Sequence, residues 1–291
     1  MNHPRIQCFA HLFPLLLLLI FSLAASVTSQ EVEILFSDYV HFLYVAEDER
    51  EFDYVRGSGM GPEHWGDLKR EWAMCKTGKM QSPIDLLHRR VEVVPKSEEI
   101  HKFYKPSKAT LKNRGHDIEV KWKGENSKIE INGSDYILRQ AHWHSPSEHS
   151  INGQRFAMEL HLVHQSQDRK IAVIGLLYDI GHSNPFLEKL MKKIKSISDP
   201  SEEVDIGLIN PEEIEMGGNN YYRYMGSLTT PPCTEGVLWT IATVSKEQVA
   251  LLRETVHDSA EENARPLQAV NGRKVKLYAL RTPREVGDGT L

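Results

Sequence analysis

Alternation of apolar and polar residues with a period of two predicts that most of this chain forms β-strands. The longer runs with this pattern or with β-rich composition are Asp117–Lys123, Tyr136–His144, Arg155–His164, Lys170–Ile180, Gly236–Val244 and Lys274–Leu280. Two shorter runs, Lys128–Ile131 and Asp135–Leu138, flank Asn132-Gly133, and this dipeptide and Asn152-Gly153 are typical of tight turns. The pattern therefore predicts a mainly β protein with short helices.

Two segments follow the helical period instead. In the first, Asn184 is placed to cap a helix and Pro185 occupies its first turn. The apolar stripe of this helix consists of Phe186, Leu187, Leu190, Met191 and Ile194. The second helix is predicted from about Lys246 to Val256. Because no internal repeat or low-complexity linker interrupts the pattern, we predict a single domain over residues 51–282, followed by a polar tail at 283–291.

The N-terminus has the pattern of a secretory signal peptide. His3 and Arg5 precede a largely apolar run from Leu12 to Ala25, and small polar residues follow it. A membrane anchor is the competing interpretation, but the run is shorter than the ~20 residues that span a bilayer. We therefore expect residues 1–29 to be removed. Residues 30–50 form an acidic extension to which the sequence assigns no role.

Entry into the secretory pathway changes the interpretation of the cysteines. Cys8 would leave with the signal peptide, and in an oxidising compartment the remaining Cys75 and Cys233 most simply form a disulfide. Two buried free thiols are the alternative. Asn132-Gly133-Ser134 is an acceptor sequence for N-glycosylation, and its place in a tight turn predicts that it is exposed.

Composition excludes several classes of protein. The 291 residues are 40% hydrophobic and 26% charged, which is ordinary for a globular protein and excludes disordered, collagen-like and coiled-coil chains. The formal net charge of −5 argues against a nucleic-acid partner, because such proteins normally carry a strongly basic face. Histidine is unusually frequent, with 14 residues, and a concentration of histidines lies between His142 and His164.

The spacing of these histidines predicts a metal site. His142 and His144 are two residues apart on one predicted strand, so both side chains point to the same face. Glu159 and His161 share a face of the next long strand, and the short connection between the strands allows His161 to lie opposite the first pair. Three neutral imidazoles with no fourth protein ligand are typical of catalytic zinc, because one coordination position stays open.

Other interpretations of these histidines are weaker. A lone histidine on a sheet is usually a core or surface residue, but that explanation fits poorly when His-x-His lies beside Glu-x-His. The spacing alone leaves other zinc hydrolases open, although the His-Glu-x-x-His sequence of helical zinc proteases is absent.

Together with the segments around them, these histidines resemble the α-class carbonic anhydrases, and the resemblance extends from Tyr54 to about Leu280. Eight segments occur in the order that the family shows: Gly61-Pro62-Glu63-His64-Trp65, Gln81-Ser82-Pro83-Ile84-Asp85, Asn113-Arg114-Gly115-His116, Gln140 to His144, Ser147-Glu148-His149, Glu159 to His164, Ser227-Leu228-Thr229-Thr230-Pro231-Pro232-Cys233 and Asn263-Ala264-Arg265-Pro266. His144 to His149 and the cysteine pair resemble the secreted plant and bacterial branches. The resemblance implies a large, twisted, mostly antiparallel sheet with a conical active-site cleft.

The resemblance also implies roles for residues around the metal. Zn²⁺ held by His142, His144 and His161 would lower the pKa of bound water to about 7, the value for carbonic anhydrase itself, and the resulting hydroxide would attack carbon dioxide. The residues expected to orient these ligands are Gln140, Glu159 and, through its carbonyl group, Asn263. Thr229 is expected to donate a hydrogen bond to Glu148.

Substrate binding and proton transfer are assigned in the same way. The residues implied to line the carbon dioxide pocket are Val163, Val173, Leu228, Thr229, Thr230, Val237 and Trp239. His116 matches the position of the proton shuttle, and Tyr54 matches a tyrosine that orders water in the cleft. Arg114 and Asp117, which flank His116, depart from the small and apolar residues often found there.

Three functions follow as hypotheses. The first is a zinc lyase that interconverts carbon dioxide and bicarbonate. The second is a storage or binding protein on the same fold with weak activity, and the third is another zinc hydrolase such as an esterase. We expect an extracellular or apoplastic location, with delivery to plastids through the secretory route as the alternative. The sequence predicts neither a nucleic-acid partner nor a membrane span in the mature chain, and it does not give the oligomeric state.

Overall fold

The computed structural model describes residues 51–95, 100–183, 185–197, 203–216, 220–243, 247–248 and 262–279. All of them fall within one compact unit, Asp48–Leu291. The predicted signal peptide (1–29), acidic extension (30–50) and polar tail (283–291) lie outside the described residues, as does the predicted cap Asn184. In the part of the chain that is described, no helix is long and apolar enough to cross a membrane.

Short helices come first along the chain, and strands dominate the rest. The helices are α1 (Trp65–Leu68), α2 (Met74–Thr77) and α3 (Pro185–Ile194), with 3₁₀ turns at Arg70–Trp72, His88–Arg90 and Pro211–Glu213. The strands before the histidine cluster are β1 (Asp85–Leu86), β2 (Val91–Pro95), β3 (His101–Phe103), β4 (Ser107–Asn113), β5 (Ile118–Trp122) and β6 (Lys128–Ile131).

The remaining strands contain the predicted site and close the fold. They are β7 (Ser134–His144), β8 (Ser150–Ile151), β9 (Gln154–Arg155), β10 (Met158–Gln165), β11 (Ile171–Tyr178), β12 (Ile180–Ser183), β13 (Glu203–Ile209), β14 (Tyr221–Ser227), β15 (Glu235–Thr243), β16 (Glu247–Gln248) and β17 (Val275–Ala279). The prediction of a mainly β protein with short helices is confirmed.

One large sheet crosses the molecule in the order β13-β4-β5-β7-β10-β11-β15-β14-β17-β2, and β6 and β3 extend it from β7. Most neighbouring strands are antiparallel, while β11 pairs with β15 and β17 pairs with β2 in parallel. At its centre lie β7, β10 and β11, where Leu160 pairs with both Trp143 and Leu176. The predicted large, mostly antiparallel sheet is therefore confirmed.

Both faces of the central strands are buried, and they have different compositions. Alternate residues such as Ala141, Trp143, Leu160, Leu162 and Ile174 pack into the main hydrophobic core. The apolar stripe predicted for α3 contributes to the same core. The intervening residues of β7 and β10 carry the histidines and their polar partners to the opposite face.

Several predicted elements differ from the observed ones. The predicted helix from Lys246 to Val256 is wrong at Glu247–Gln248, which form β16, because their backbone pairs with β12; residues 249–256 lie outside the described part of the chain. The predicted strand Lys170–Ile180 ends at Tyr178, since β12 belongs to that separate small sheet. Similarly, Arg155–His164 divides into β9 and β10.

Candidate metal centre

The three predicted metal ligands lie side by side on two central strands. His142 and His144 project from the same face of β7, and His161 of β10 is the direct cross-strand partner of His142. The ring centroids are separated by 5.0 Å for His142 and His144, 5.1 Å for His142 and His161, and 4.6 Å for His144 and His161. Antiparallel pairing therefore converts two short sequence motifs into one cluster.

The free nitrogens of these imidazoles converge in a way that fits zinc. One potential ligand atom from each ring lies within 4.8 Å of the other two. His142 Nε2 and His161 Nδ1 are 3.3 Å apart, and two ligands at zinc–nitrogen distances of about 2.0–2.1 Å are separated by about 3.3 Å in a tetrahedron. The Nε2 atom of His144 is buried and has no hydrogen-bond partner among the described residues. This donor set fits the metal that the sequence predicts.

Burial favours the metal-binding form of two of the three predicted ligands, His142 and His161. Desolvation lowers the pKa of His142 well below its ordinary value and lowers the pKa of His161. Both shifts favour the neutral imidazole, whose unprotonated nitrogen is available to a cation.

Each ligand is oriented through the ring nitrogen that faces away from the cluster. Gln140 Oε1 lies 2.8 Å from His142 Nδ1, and the carbonyl oxygen of Asn263 lies 2.6 Å from His144 Nδ1. Glu159 Oε1 lies 2.8 Å from His161 Nε2. Each contact allows the imidazole N–H to donate, and it leaves Nε2 of His142 and His144 and Nδ1 of His161 pointing inward.

A further polar chain behind Glu159 was missed by the sequence analysis. His149 donates its backbone N–H to Glu159 Oε2 at 2.7 Å, and its Nδ1 lies 2.7 Å from Glu159 Oε1. His149 Nε2 is 2.7 Å from the hydroxyl of Tyr224, which in turn is 2.8 Å from the hydroxyl of Ser82. His149 belongs to the segment Ser147-Glu148-His149 that resembles the family, but no sequence pattern connects it to Tyr224 on β14.

Glu148 lies against the cluster, although not with the partner that the resemblance implies. Its Oε1 accepts the backbone N–H of Arg265 at 2.9 Å. Its Oε2 lies 3.7 Å from His144 Nε2 and has no hydrogen-bond partner among the described residues. The expected hydrogen bond from Thr229 to Glu148 is therefore not formed in this structure. Thr229 is buried in the segment that follows β14.

Apolar residues continue the floor of the site next to His161. Val163, Val173 and Trp239 are consecutive cross-strand partners on β10, β11 and β15. The Trp239 ring is 4.8 Å from the His161 ring, centroid to centroid. Val237 lies two residues before Trp239 on the same face of β15. Val237 and Leu228 are both buried, and Thr230 is half-buried. The structure thus places an apolar row beside the metal ligands.

His116 is enclosed near the site. It is buried, and neither ring nitrogen has a hydrogen-bond partner among the described residues. Its ring centroid lies 4.9 Å from that of Phe52 and 6.2 Å from that of Tyr54. Its Nε2 is 3.6 Å from a carboxylate oxygen of Asp117. Burial, followed by the negative charge of Glu148, raises the pKa of Tyr54 well above its ordinary value, so the phenol keeps its proton.

A disulfide joins Cys75 of α2 to Cys233, four residues after Thr229. The predicted pairing is confirmed. Arg265 connects this bridge to the site, because its guanidinium donates to the carbonyl of Cys75 at 3.0 Å while its backbone N–H binds Glu148. Arg265 belongs to the segment Asn263-Ala264-Arg265-Pro266 that resembles the family, but its position between the disulfide and the histidine cluster was not predicted.

Comparison with known proteins assigns the class. The family model for eukaryotic-type carbonic anhydrases matches residues 60–279. The chain is 52% identical over 237 residues to alpha carbonic anhydrase 7 of Arabidopsis thaliana, covering 80% of this chain and 86% of the relative. This chain therefore belongs to the α-carbonic anhydrase family, as its sequence motifs predict.

Solved structures agree with this assignment. A dioscorin complexed with ascorbate superposes with a TM-score of 0.74 at 42% identity, covering 78% of this chain and 98% of the dioscorin. The alpha-carbonic anhydrase from Thermovibrio ammonificans, in complex with the inhibitor sulfanilamide, gives a TM-score of 0.70 at 36% identity, with 77% and 98% covered.

Proposed function

We propose that this protein is a zinc-dependent lyase that catalyses the reversible hydration of carbon dioxide to bicarbonate and a proton. The observation that carries the proposal is the convergence of three buried imidazole nitrogens on a space bounded by Glu148 and an apolar row; among the described residues, one of these nitrogens, His144 Nε2, has no hydrogen-bond partner. Uncharged carbon dioxide needs such an apolar surface beside the reactive centre.

His142, His144 and His161 would hold the metal. When bound, Zn²⁺ supplies a nucleophilic oxygen at neutral pH by lowering the pKa of water. Gln140, Glu159 and the Asn263 carbonyl fix the imidazole rings, so the ligands need little reorganisation when the metal binds. Three neutral ligands preserve the full positive charge of the ion.

The chain's own residues would then orient the reactants. Glu148 directs one free carboxylate oxygen towards the ligand cluster, where it can accept a hydrogen bond from a hydroxyl group. Thr229, buried in the segment that follows β14, would provide that hydroxyl. Val163, Val173 and Trp239 present an apolar wall to carbon dioxide, and Val237, Leu228 and Thr230 complete the pocket.

His116 would carry the proton that hydration releases. Its two ring nitrogens are buried and have no hydrogen-bond partner among the described residues, so no protein group competes for them, and the transfer requires water to reach them. Neutral imidazole can accept a proton on one nitrogen and release another from the second. Tyr54, held as a neutral phenol, would order the water between His116 and the ligands.

A storage or ligand-binding function on the same fold is the second candidate. Dioscorin, to which this chain is 42% identical, was solved with bound ascorbate. The presence of all three ligand histidines, their orienting partners and Glu148 favours the lyase.

We also propose that the protein is secreted, to the extracellular space or apoplast or through the secretory route to plastids. The disulfide fits an oxidising compartment. Asn132 is exposed at the turn between β6 and β7, which makes it accessible for glycosylation. Peptide mapping of secreted protein should find a new N-terminus near residue 30 and a glycan on Asn132; protein that retains residues 1–29 would contradict secretion by this route.

Metal content and carbon dioxide hydration should be measured together. We expect one zinc per chain in protein expressed through the secretory pathway, loss of hydration after removal of the metal by a chelator, and recovery when zinc is restored. Stoichiometric zinc with hydration no faster than buffer would exclude the lyase and favour the binding function. Hydration that persists unchanged without metal would exclude the proposed site.

A further inference from the structure

Gly175 occupies a position of β11 at which a strand in the core would normally carry a packed side chain. Gly175 lies in the middle of β11, whose other central residues are buried and mostly large and apolar. Interior glycine weakens a strand, so its presence indicates that another group approaches the backbone closely. Gly175 is the cross-strand partner of His161 on one side and of Ile241 on the other. It therefore lies in the same row as the metal ligands.

The approaching group is the carboxylate of Glu159. A Cβ atom built on Gly175 would lie 2.9 Å from Glu159 Oε1, 2.6 Å from Ile241 Cδ1 and 3.6 Å from Trp239 Cζ3. The isoleucine methyl group belongs to a flexible side chain and can shift. Glu159 cannot shift without breaking the contacts that it makes elsewhere.

These contacts hold Glu159 in place. It is fully buried, its Oε2 accepts the backbone N–H of His149 at 2.7 Å, and its Oε1 lies 2.7 Å from His149 Nδ1 and 2.8 Å from His161 Nε2. Burial acts to raise the pKa of Glu159, but His149 and His161 lower it well below the usual range. An ionised carboxylate with three such contacts loses much of its stabilisation when it moves.

We propose that Gly175 is a positioning residue of the metal centre, because the space left by its missing side chain holds the Glu159 carboxylate that orients His161. The inference rests on the proposed zinc site. It assigns Gly175 no contact with substrate or metal. It predicts that a single methyl group at Gly175 displaces the Glu159 carboxylate, that His161 then loses its orienting partner, and that metal binding weakens as a result.

The test is Gly175→Ala, measured by the rate of zinc dissociation to a chelator. Loss of the partner of a metal-binding histidine typically lowers metal affinity about 10- to 100-fold. We expect the loss in Gly175→Ala to appear as zinc dissociation that is faster by a factor of about the same size. The control is Gly66→Ala, at a glycine that is at least as crowded, with Lys76 Cβ 2.4 Å from the position of the new Cβ. This control should lose thermal stability and keep the wild-type zinc dissociation rate.

A second variant separates crowding against Ile241 from displacement of Glu159. Ile241→Val deletes the Cδ1 atom that the new methyl group would meet. In Gly175→Ala/Ile241→Val we expect thermal stability to recover while zinc still dissociates fast. Recovery of slow dissociation in this double variant would overturn the proposal, because core packing alone would then explain the effect. Adding Gly175→Ala to Glu159→Gln should accelerate dissociation little beyond Glu159→Gln alone.

Metal-free protein gives an independent measurement. The imidazole N–H protons of His149 and His161 that bond to Glu159 should give downfield proton resonances, and Gly175→Ala should shift or remove them while Gly66→Ala should not. Unchanged resonances would refute the role of Gly175 even if the wild-type chain bound no zinc. Absence of zinc from wild-type protein would refute the proposed function alone.

Discussion

At the scale of single residues, the metal site depends on which nitrogen of each imidazole is already engaged. Gln140 and the Asn263 carbonyl engage Nδ1 of His142 and His144, while Glu159 engages Nε2 of His161. The opposite nitrogen of each ring is thereby directed to the cluster. A histidine at the same position without such a partner would rotate freely and bind metal less tightly.

His142→Ala should abolish the metal site. Two imidazoles are too few for tight binding, so we expect loss of bound zinc and of nearly all hydration activity, measured by metal analysis and a carbon dioxide hydration assay. His101→Ala, at an exposed histidine of β3, is the control and should retain both. Stoichiometric zinc and near-normal turnover in His142→Ala would contradict the ligand assignment.

His116→Ala should separate proton export from chemistry at the metal. We expect kcat in dilute buffer to fall on the order of 10²-fold, with kcat/KM for hydration nearly unchanged, because kcat/KM reports steps up to the first irreversible one. Small imidazole buffers should restore much of kcat. Replacement of the exposed His64 by alanine should leave both constants unchanged. Normal kcat of His116→Ala in dilute buffer would assign proton export to another group.

At the scale of elements, the turn between β4 and β5 carries a buried charge cluster beside His116. Arg114 donates from Nε to one oxygen of Asp117 at 2.7 Å and from Nη2 to the other at 2.5 Å, and its Nη1 lies 3.2 Å from Glu119 Oε2. Burial acts to raise the pKa of Asp117, but Arg114, with His116 and His142, holds this pKa far below its usual range. The turn is thus held by a bidentate ion pair.

Asp117→Asn should destabilise the fold at neutral pH by about 3–5 kcal/mol, because it leaves the buried charge of Arg114 without its main partner. The carboxylate's pKa is depressed in the folded state, so its stabilisation is present above the unfolded value of about 3.9 and is lost as pH falls towards the folded value. Urea unfolding should therefore show a large difference between wild type and variant at pH 7 that shrinks below about pH 4.

The exposed pair of Asp168 and Lys170 provides the comparison. Asp168→Asn should change stability too little to measure, since solvent screens an exposed ion pair. A difference between wild type and Asp117→Asn that stays constant from neutral to acid pH would show that the charge of Asp117 does not stabilise the turn.

At the scale of the whole molecule, the Cys75–Cys233 bridge joins residues that are 158 positions apart. It links the helical start of the fold to the segment that carries Thr229. Gln81 strengthens the same junction by donating to the carbonyl of Cys233 at 3.1 Å, and Arg265 joins Gln81 to Cys75. The junction thus ties α2 to the segment after β14 and, through Arg265, to Glu148.

Replacement of both cysteines by serine should lower the free energy of unfolding by about 5 kcal/mol, the loop-closure entropy of a crosslink of this span. Chemical denaturation of wild type and of Cys75→Ser/Cys233→Ser measures this loss. Cys8→Ser, which lies in the predicted signal peptide, should leave the stability of the secreted protein unchanged. Equal stability with and without the crosslink would show that the unfolded chain is not appreciably restricted by it.

The amino-acid sequence by itself determined the class of fold and the family, and it identified the three histidines that the structure brings into one cluster. Two-residue periodicity over residues 140–144 of β7 and residues 159–161 of β10 identifies which side chains share a face, because successive residues of a strand point to opposite faces. The His-x-His and Glu-x-His spacings predict the metal site for the same reason. The strands β2, β3, β4, β13 and β14 were not predicted. Of these, β2 and β13 acquire strand structure by pairing with strands that are distant in sequence, β17 and β4.

The resemblance to the family already implied that Gln140, Glu159 and Asn263 orient the predicted ligands. Only the tertiary structure showed which groups hold Glu159 in turn and which residues must be small. Asn263 reaches His144 across 119 positions, and Tyr224 reaches His149 across 75. No local pattern encodes such contacts, because Asn263 and His149 lie outside the strands and reach their partners only when the chain is folded. Gly175 is the clearest case: the sequence shows a glycine in a strand, and only the packed sheet shows the carboxylate that occupies the space beside it.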